Sequence, residues 1–204
     1  MSKVDMWEIE KEYFGQGIQM ICGVDEAGRG PLAGPVCAAA VILPAELDIP
    51  GLDDSKKLSD KRRRELFPVI KDKAIAYGIG FADHTEIDNI NILQATYLAM
   101  ERAMAQLQIT PELALIDGNR AKDFGIPVKT VIHGDSLSAS IAAASILAKV
   151  TRDDLMLEYA KEYPGYGFEI HKGYGTKAHY EAIEMNGICP IHRRSFLKKL
   201  YGTE

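Results

Sequence analysis

The residues of this chain best suited to chemistry are acids. Asp25 and Glu26 stand side by side after an apolar run, Met20-Ile21-Cys22-Gly23-Val24, immediately ahead of a glycine-rich stretch. Asp117 ends a second apolar run, and Asp135 follows a third. Charges beside a buried strand are costly unless something compensates them. Carboxylates at strand ends and strand–loop junctions can converge on one edge of a sheet, and hard cations such as Mg2+ or Mn2+ take such oxygens with water, leaving positions open for a phosphate. Two such ions about 4 Å apart can activate a water and stabilise the leaving oxygen of an in-line displacement. Taken singly, Asp117-Gly118 also fits ordinary turn chemistry, and Asp135 fits a cap or first-turn acid. Spacing alone leaves those readings open.

Positioning these acids requires a sheet. Residues 20–25 and 36–43 are dense in apolar and β-branched side chains, and the Gly/Pro-rich stretch 28–35 joins them, which predicts two neighbouring strands. Further strands are expected at 77–82, 113–116 and 128–132. Helices are expected at 4–14, at 60–74 after Ser59 as a cap, at 93–107, at 138–162, and near 177–186 and 193–200. Pro68 should bend or divide the second of these. The first half of 138–162 is nearly all Ala, Ser and Ile, which would let a helix lie close on a sheet. The expected fold is α/β: a mixed sheet flanked by helices, in one catalytic domain over residues 1–204, with a helical C-terminal portion from about 177 to 204.

Composition narrows the class. The chain has 204 residues, 47% of them hydrophobic, enough to bury a core. Its start is charged from the third residue and lacks the apolar centre of an export signal. The longest apolar run, residues 36–43, is far short of the roughly 20 residues that span a bilayer. A cytoplasmic protein with no membrane partner is expected. Cys22, Cys37 and Cys189 show no CxxC or Cys/His spacing and read as buried thiols, not a disulfide framework or zinc site. The net charge of −5 argues mildly against a nucleic-acid partner. A carboxylate cluster loaded with divalent ions presents less negative charge than the formal count. The basic residues are also grouped, at Lys56, Lys57 and 61–64, and again at Arg193, Arg194, Lys198 and Lys199.

The stretch from Gly23 to Val36, with Asp25-Glu26-Ala27-Gly28-Arg29-Gly30-Pro31-Leu32-Ala33-Gly34-Pro35 at its centre, closely resembles the opening motif of type 2 ribonuclease H, the bacterial ribonuclease HII family. Four more matches follow in order: Asp54-Ser55-Lys56-Lys57-Leu58; Ile116-Asp117-Gly118; Gly134-Asp135 leading into the Ser140–Val150 run; and His171-Lys172-Gly173-Tyr174-Gly175-Thr176. The resemblance implies a ribonuclease H-like fold. It implies hydrolysis of the RNA strand in RNA–DNA hybrids, and incision on the 5′ side of a single ribonucleotide embedded in duplex DNA, leaving a 3′-OH and a 5′-phosphate. It further implies that Asp25, Glu26, Asp117 and Asp135 are the catalytic, metal-binding carboxylates, holding two Mn2+ or Mg2+ ions. By the same resemblance Gly28-Arg29-Gly30 reads the 2′-OH from its backbone, Tyr174 stacks on the sugar beyond the RNA–DNA junction, and Lys56 and Lys57 face phosphates. The short stretch ahead of Asp25 is expected to leave no room for the extra N-terminal domain of the type 3 family. A monomer is expected.

The residue types suit that chemistry. The 2′-OH distinguishes RNA from DNA and is both donor and acceptor. Glycines let main-chain groups approach a sugar closely, although Gly28-Arg29-Gly30 also reads as merely a tight loop. Arg29 can fork onto a phosphate. Tyr174 between two glycines has an exposed-loop context, whereas Tyr166 and Phe168 read as packing residues. Lys172 is a candidate phosphate contact, and His171 either orders the loop or touches phosphate. The run at 61–64 is either a solvated helix face or a phosphate track, and Lys149 either partners a carboxylate or is solvated. The rivals are another nuclease or strand-transfer enzyme on the same fold, and a non-catalytic hybrid or RNA binder.

Overall fold

In the computed structural model, which describes residues 5–198, a five-stranded sheet carries the order β3-β2-β1-β4-β5. The strands are β1 (Ile21–Ala27), β2 (Val36–Ile42), β3 (Ala76–Ala82), β4 (Leu113–Asp117) and β5 (Val128–Val131). The first three form an antiparallel meander, and β4 and β5 add to the far side of β1 in parallel. The helices are α1 (Glu8–Phe14), α2 (Asp60–Lys73), α3 (His84–Ala105), α4 (Ala139–Glu162), α5 (Phe168–His171) and α6 (Lys177–Asn186). The expected mixed sheet with flanking helices is present.

Alternation along the strands divides the core. Cys22, Val24, Ala114 and Ile116 face α3 with Ala99, Met100 and Ala103. On the opposite face Ile21, Leu113 and Leu115 meet Ile141 of α4, while Cys37, Ala39 and Val41 meet Ala143, Ile146 and Leu147. The three thiols are free and buried.

Several boundaries differ from expectation for identifiable reasons. β1 does not stop at Asp25, because pairing with β2 continues to Ala27 opposite Cys37. α2 runs unbroken through Pro68; that proline is exposed, so the Arg64 carbonyl it frees can turn to water. α3 begins nine residues before the expected start, at His84 behind an Asp83–Glu86 capping box, and is interrupted at Asn91 (φ 66°). The expected helix at 193–200 is instead a 3-10 turn over Arg194–Phe196, with Lys199 and Leu200 outside the described residues.

The start of α4 is tied to α1. Ser138 caps the helix by accepting from the Ile141 N–H (3.2 Å), while its own hydroxyl donates to fully buried Glu10 (2.6 Å). Glu10 also accepts from the Ser140 N–H (3.1 Å). Ser138→Ala removes the cap and strips Glu10 of a donor, so it should cost about 1–2 kcal/mol. A urea midpoint lowered without a change in slope checks this; an unchanged midpoint would show that neither bond matters.

Candidate active site

Parallel pairing of Val24 with Ile116 places Asp25 and Asp117 next to each other, one step further along β1 and β4. Strand alternation then turns Asp25, with Gly23, toward α4. Asp117 falls on the same face as Leu115. The third acid arrives from the turn after β5, where His133 adopts a left-handed conformation (φ 57°, ψ 38°) before the 3-10 turn Gly134–Ser136. The Gly134 N–H donates to Asp117 Oδ1 at 2.7 Å, joining that turn to the end of β4. Asp25, Asp117 and Asp135 each thereby offer an oxygen within 4.8 Å of the others.

Glu26 stands apart from this trio. Adjacent strand residues point to opposite faces, and Glu26 Oε1 is held by Arg29 Nη1 at 3.2 Å. It still borders the same cleft of about 250 Å³, together with Asp25, Gly28, Arg29, Gly30, Lys56, Asp117 and Tyr174. Asp135, Lys57 and Lys172 are not among the residues lining that cleft.

The cluster is short of positive charge. Asp25 is 3% exposed and Asp135 2%. Burial first, then the charges of Glu26 and Asp117, holds the Asp25 carboxyl well above the usual carboxylate range. Asp117 is raised by burial and then by Asp135. Glu26 is raised by burial, with Arg29 pulling the other way. The nearest cation is Lys56, whose Nζ reaches Asp135 Oδ2 at 2.8 Å. Two carboxylates about 5 Å apart repel by about 3 kcal/mol at an effective dielectric constant of ~20, and one ammonium does not neutralise three acids. An all-oxygen, acid-rich pocket of this kind fits a hard divalent cation.

The loop segments around the acids are fixed by side chains that the motif reading left ambiguous. Ser55 Oγ and Ser145 Oγ lie 2.7 Å apart, fastening the Asp54–Leu58 segment to α4. Arg63 donates to the Ser55 carbonyl at 2.8 Å, so this member of the basic run points inward to the segment that carries Lys56. Lys57 Nζ meets Ser136 Oγ at 3.1 Å and Asp53 at 3.4 Å. Lys149 pairs with Asp153 at 2.7 Å, which settles it as a carboxylate's partner, although that carboxylate lies outside the trio.

Gly28 has φ 94°, and a Cβ there would lie 1.9 Å from Arg152 Nε, so both the turn and the neighbour require glycine. A Cβ on Gly30 would lie 3.8 Å from the Tyr174 ring, which puts the glycine loop and this 42%-exposed tyrosine side by side. Tyr166 and Phe168 are buried and stacked. His171 orders its loop: its Nδ1 accepts from the Gly173 N–H and its Nε2 donates to the Tyr166 carbonyl. The Lys172 ammonium bonds the Glu169 carbonyl.

Two functional neighbours escaped sequence reasoning. Arg152 and Arg193 are the largest fully buried side chains, and both donate to carbonyls of the loop between β1 and β2. Arg193, expected to open a basic helix, instead lies buried just ahead of the 3-10 turn Arg194–Phe196. Arg152 lies in the charged second half of α4 and Arg193 in a short basic group, so nothing local in the sequence marks either as buried.

Comparison with known proteins identifies the family and the fold. The family model described as Ribonuclease HII matches residues 22–199. A curated ribonuclease HII of Endomicrobium trichonymphae is 55% identical over 194 residues, covering 94% of this chain and 92% of that protein. Among solved structures, the crystal structure of ribonuclease H2 from Pyrococcus horikoshii OT3 aligns with a TM-score of 0.70 at 28% identity, covering 86% of this chain and 92% of the other. Ribonuclease HII of Archaeoglobus fulgidus, solved in complex with PCNA, aligns at 0.71 and 25%, covering 85% and 93%. With its carboxylate trio, its glycine loop and a match running almost the whole length of the described chain, this protein belongs to the ribonuclease HII family.

Proposed function

We propose that this ribonuclease H endonuclease cuts the RNA strand of RNA–DNA hybrids and incises on the 5′ side of single ribonucleotides in duplex DNA, as a cytoplasmic monomer built on one catalytic domain. The observation that carries this reading is that the Asp25–Asp117–Asp135 trio opens, through Asp25 and Asp117, onto a cleft also lined by Gly28-Arg29-Gly30 and Tyr174.

The three aspartates, joined by Glu26 from the opposite strand face, are the groups to hold two Mn2+ or Mg2+ ions. Ions bound there supply an activated water and neutralise the leaving 3′ oxygen. The chain's own residues do the rest. Backbone groups of the glycine loop meet the 2′-OH, and the Tyr174 ring packs on the neighbouring sugar. Lys56, already beside Asp135, lies within reach of a phosphate bound at the acids, while Arg29, Lys57 and Lys172 take flanking phosphates along the strand.

The test is cleavage of a labelled duplex holding one ribonucleotide, against an all-DNA control, in Mg2+, in Mn2+ and in chelator. Metal-dependent incision confined to the ribonucleotide's 5′ side is expected. Equal cutting of the all-DNA duplex would overturn the substrate assignment. Tyr174→Ala should slow incision at a lone ribonucleotide by about tenfold, since aromatic stacking on nucleic acid is worth ~1–3 kcal/mol on a base and less on a sugar. An unchanged rate would remove Tyr174 from the site.

A further inference from the structure

The segment beyond Thr176 has no motif that sequence reading could interpret, yet at Cys189–Arg193 it returns to the cleft. The Gly34 N–H donates to the Ile191 carbonyl at 2.9 Å, and the Arg193 N–H to the Leu32 carbonyl at 2.8 Å, so this return is stitched to the loop between β1 and β2. Arg193 is fully buried. Its guanidinium spends its donors on three carbonyls: Nε on Gly34 (2.8 Å), Nη1 on Arg29 (2.9 Å) and Nη2 on Gly28 (2.6 Å). Burying a cation among neutral acceptors is expensive, and desolvation draws its pKa down to about 9.

What this arrangement fixes follows from peptide planarity. In a trans peptide the C=O and the next N–H point in opposite directions. Drawing the Gly28 and Arg29 carbonyls toward Arg193 therefore turns the N–H groups of Arg29 and Gly30 away from it. Glycine-rich backbone would otherwise sample many orientations.

The adjacent residue works on the other wall. His192 Nδ1 accepts from the Cys189 N–H at 2.9 Å, so its proton sits on Nε2, 3.1 Å from His179 Nε2. His179 must then carry its own proton on Nδ1, which donates to the Tyr174 carbonyl at 3.0 Å. One chain of bonds with determined tautomers runs from Cys189 to the backbone of Tyr174.

We propose that His192 and Arg193 form a positioning element that sets Gly28-Arg29-Gly30 and Tyr174 at a fixed spacing, so that discrimination for a ribonucleotide depends on two buried residues that never touch the substrate. This rests on the reading of the glycine loop as the 2′-OH sensor. Misplacement of a reading group by about 1 Å can cost about 100-fold, and a flexible loop needs outside support to stay in register.

The test is equilibrium binding in chelator at low salt, by fluorescence anisotropy, of a duplex with one ribonucleotide and of the same sequence in DNA. Arg193→Lys keeps the charge but loses the planar fork. It should lower the preference for the ribonucleotide by about tenfold, with affinity for DNA changed less than about twofold. His192→Gln leaves the fork intact and should lower the same preference by a smaller factor, which keeps the test open if Arg193→Lys proves too unstable to purify. Both duplexes weakened equally, or the preference unchanged in both variants, would reduce the pair to ordinary structural support and overturn the proposal. A wild-type protein with no preference would instead refute the sensor reading beneath it.

Discussion

Asp25→Asn should leave cleavage at least about a thousandfold slower, in a protein that melts higher than wild type when both are held in chelator at neutral pH. The two effects share one cause. Asp25 is buried against Glu26 and Asp117, and its pKa is raised by burial and by those charges. A carboxylate whose folded pKa exceeds its unfolded value of ~3.9 contributes full stability below the unfolded value. That contribution is lost as pH rises through the folded one. The metal-free fold therefore weakens from acid toward neutral pH, and Asn removes the share of this dependence that Asp25 contributes. Relief of about 1–2 kcal/mol corresponds to roughly 2–8 °C in a chain of this size. Thermal unfolding against pH in chelator checks it, and Mn2+ should raise the wild-type midpoint far more than the variant's. If the variant melts lower than wild type at every pH, the trio is not under electrostatic strain and the argument for a cation site loses its support.

Gly23→Ala should be the most damaging small substitution in the sheet. A Cβ at Gly23 would sit 2.1 Å from the Ser140 carbonyl carbon and 2.3 Å from the Ile141 nitrogen, both backbone atoms of α4. No rotamer relieves such a clash, so α4 must lift from β1. That movement would loosen Ile141 from Leu113 and Leu115. It would also disturb Ser145, whose hydroxyl lies at the Asp25 end of the cleft. Overpacking typically costs about 1–3 kcal/mol and more when backbone must move, so a loss of about 3 kcal/mol or greater is expected, with activity falling alongside. Urea unfolding reads the first and single-ribonucleotide cleavage the second. A midpoint within about 0.5 kcal/mol of wild type would mean that α4 crosses β1 with slack.

The parts of the fold legible in the sequence were those with continuous local signals. The helix at 177–186 matches α6 at both ends, because Thr176 caps it and Gly187 follows it. The small residues opening α4 announced a helix pressed against a sheet, and almost all of that half is buried. The front of α3 was missed although Asp83 and Glu86 form a capping box that the sequence displays, because the break at Asn91 interrupts the helical period. α5 is too short to show any period. At the site, the identities of Asp25, Glu26, Asp117 and Asp135 were readable, but the face each occupies was not. Glu26 turns from the trio because it neighbours Asp25 on a strand, and its bond to Arg29 holds it there. The inward turn of Arg63 is not legible because its partners, the carbonyls of Ser55 and Leu58, are backbone groups that carry no residue signature, and that of Arg193 because its partner carbonyls lie on a loop 159 to 165 positions earlier.

The bond from Arg193 to the Gly28 carbonyl joins residues 165 positions apart, and this bears on when the enzyme becomes active during its own synthesis. Closing so long a loop is entropically late in folding. Chains emerge from the ribosome N-terminus first, at roughly 5–20 residues per second, so the glycine loop is made about ten seconds or more before the arginine that fixes it. The acids of β1, β4 and the turn after β5 precede that clamp as well. A nascent chain can therefore carry its full set of carboxylates while the glycine loop is still loose, and if that loop is the proposed 2′-OH sensor, selectivity is acquired after the acids are in place.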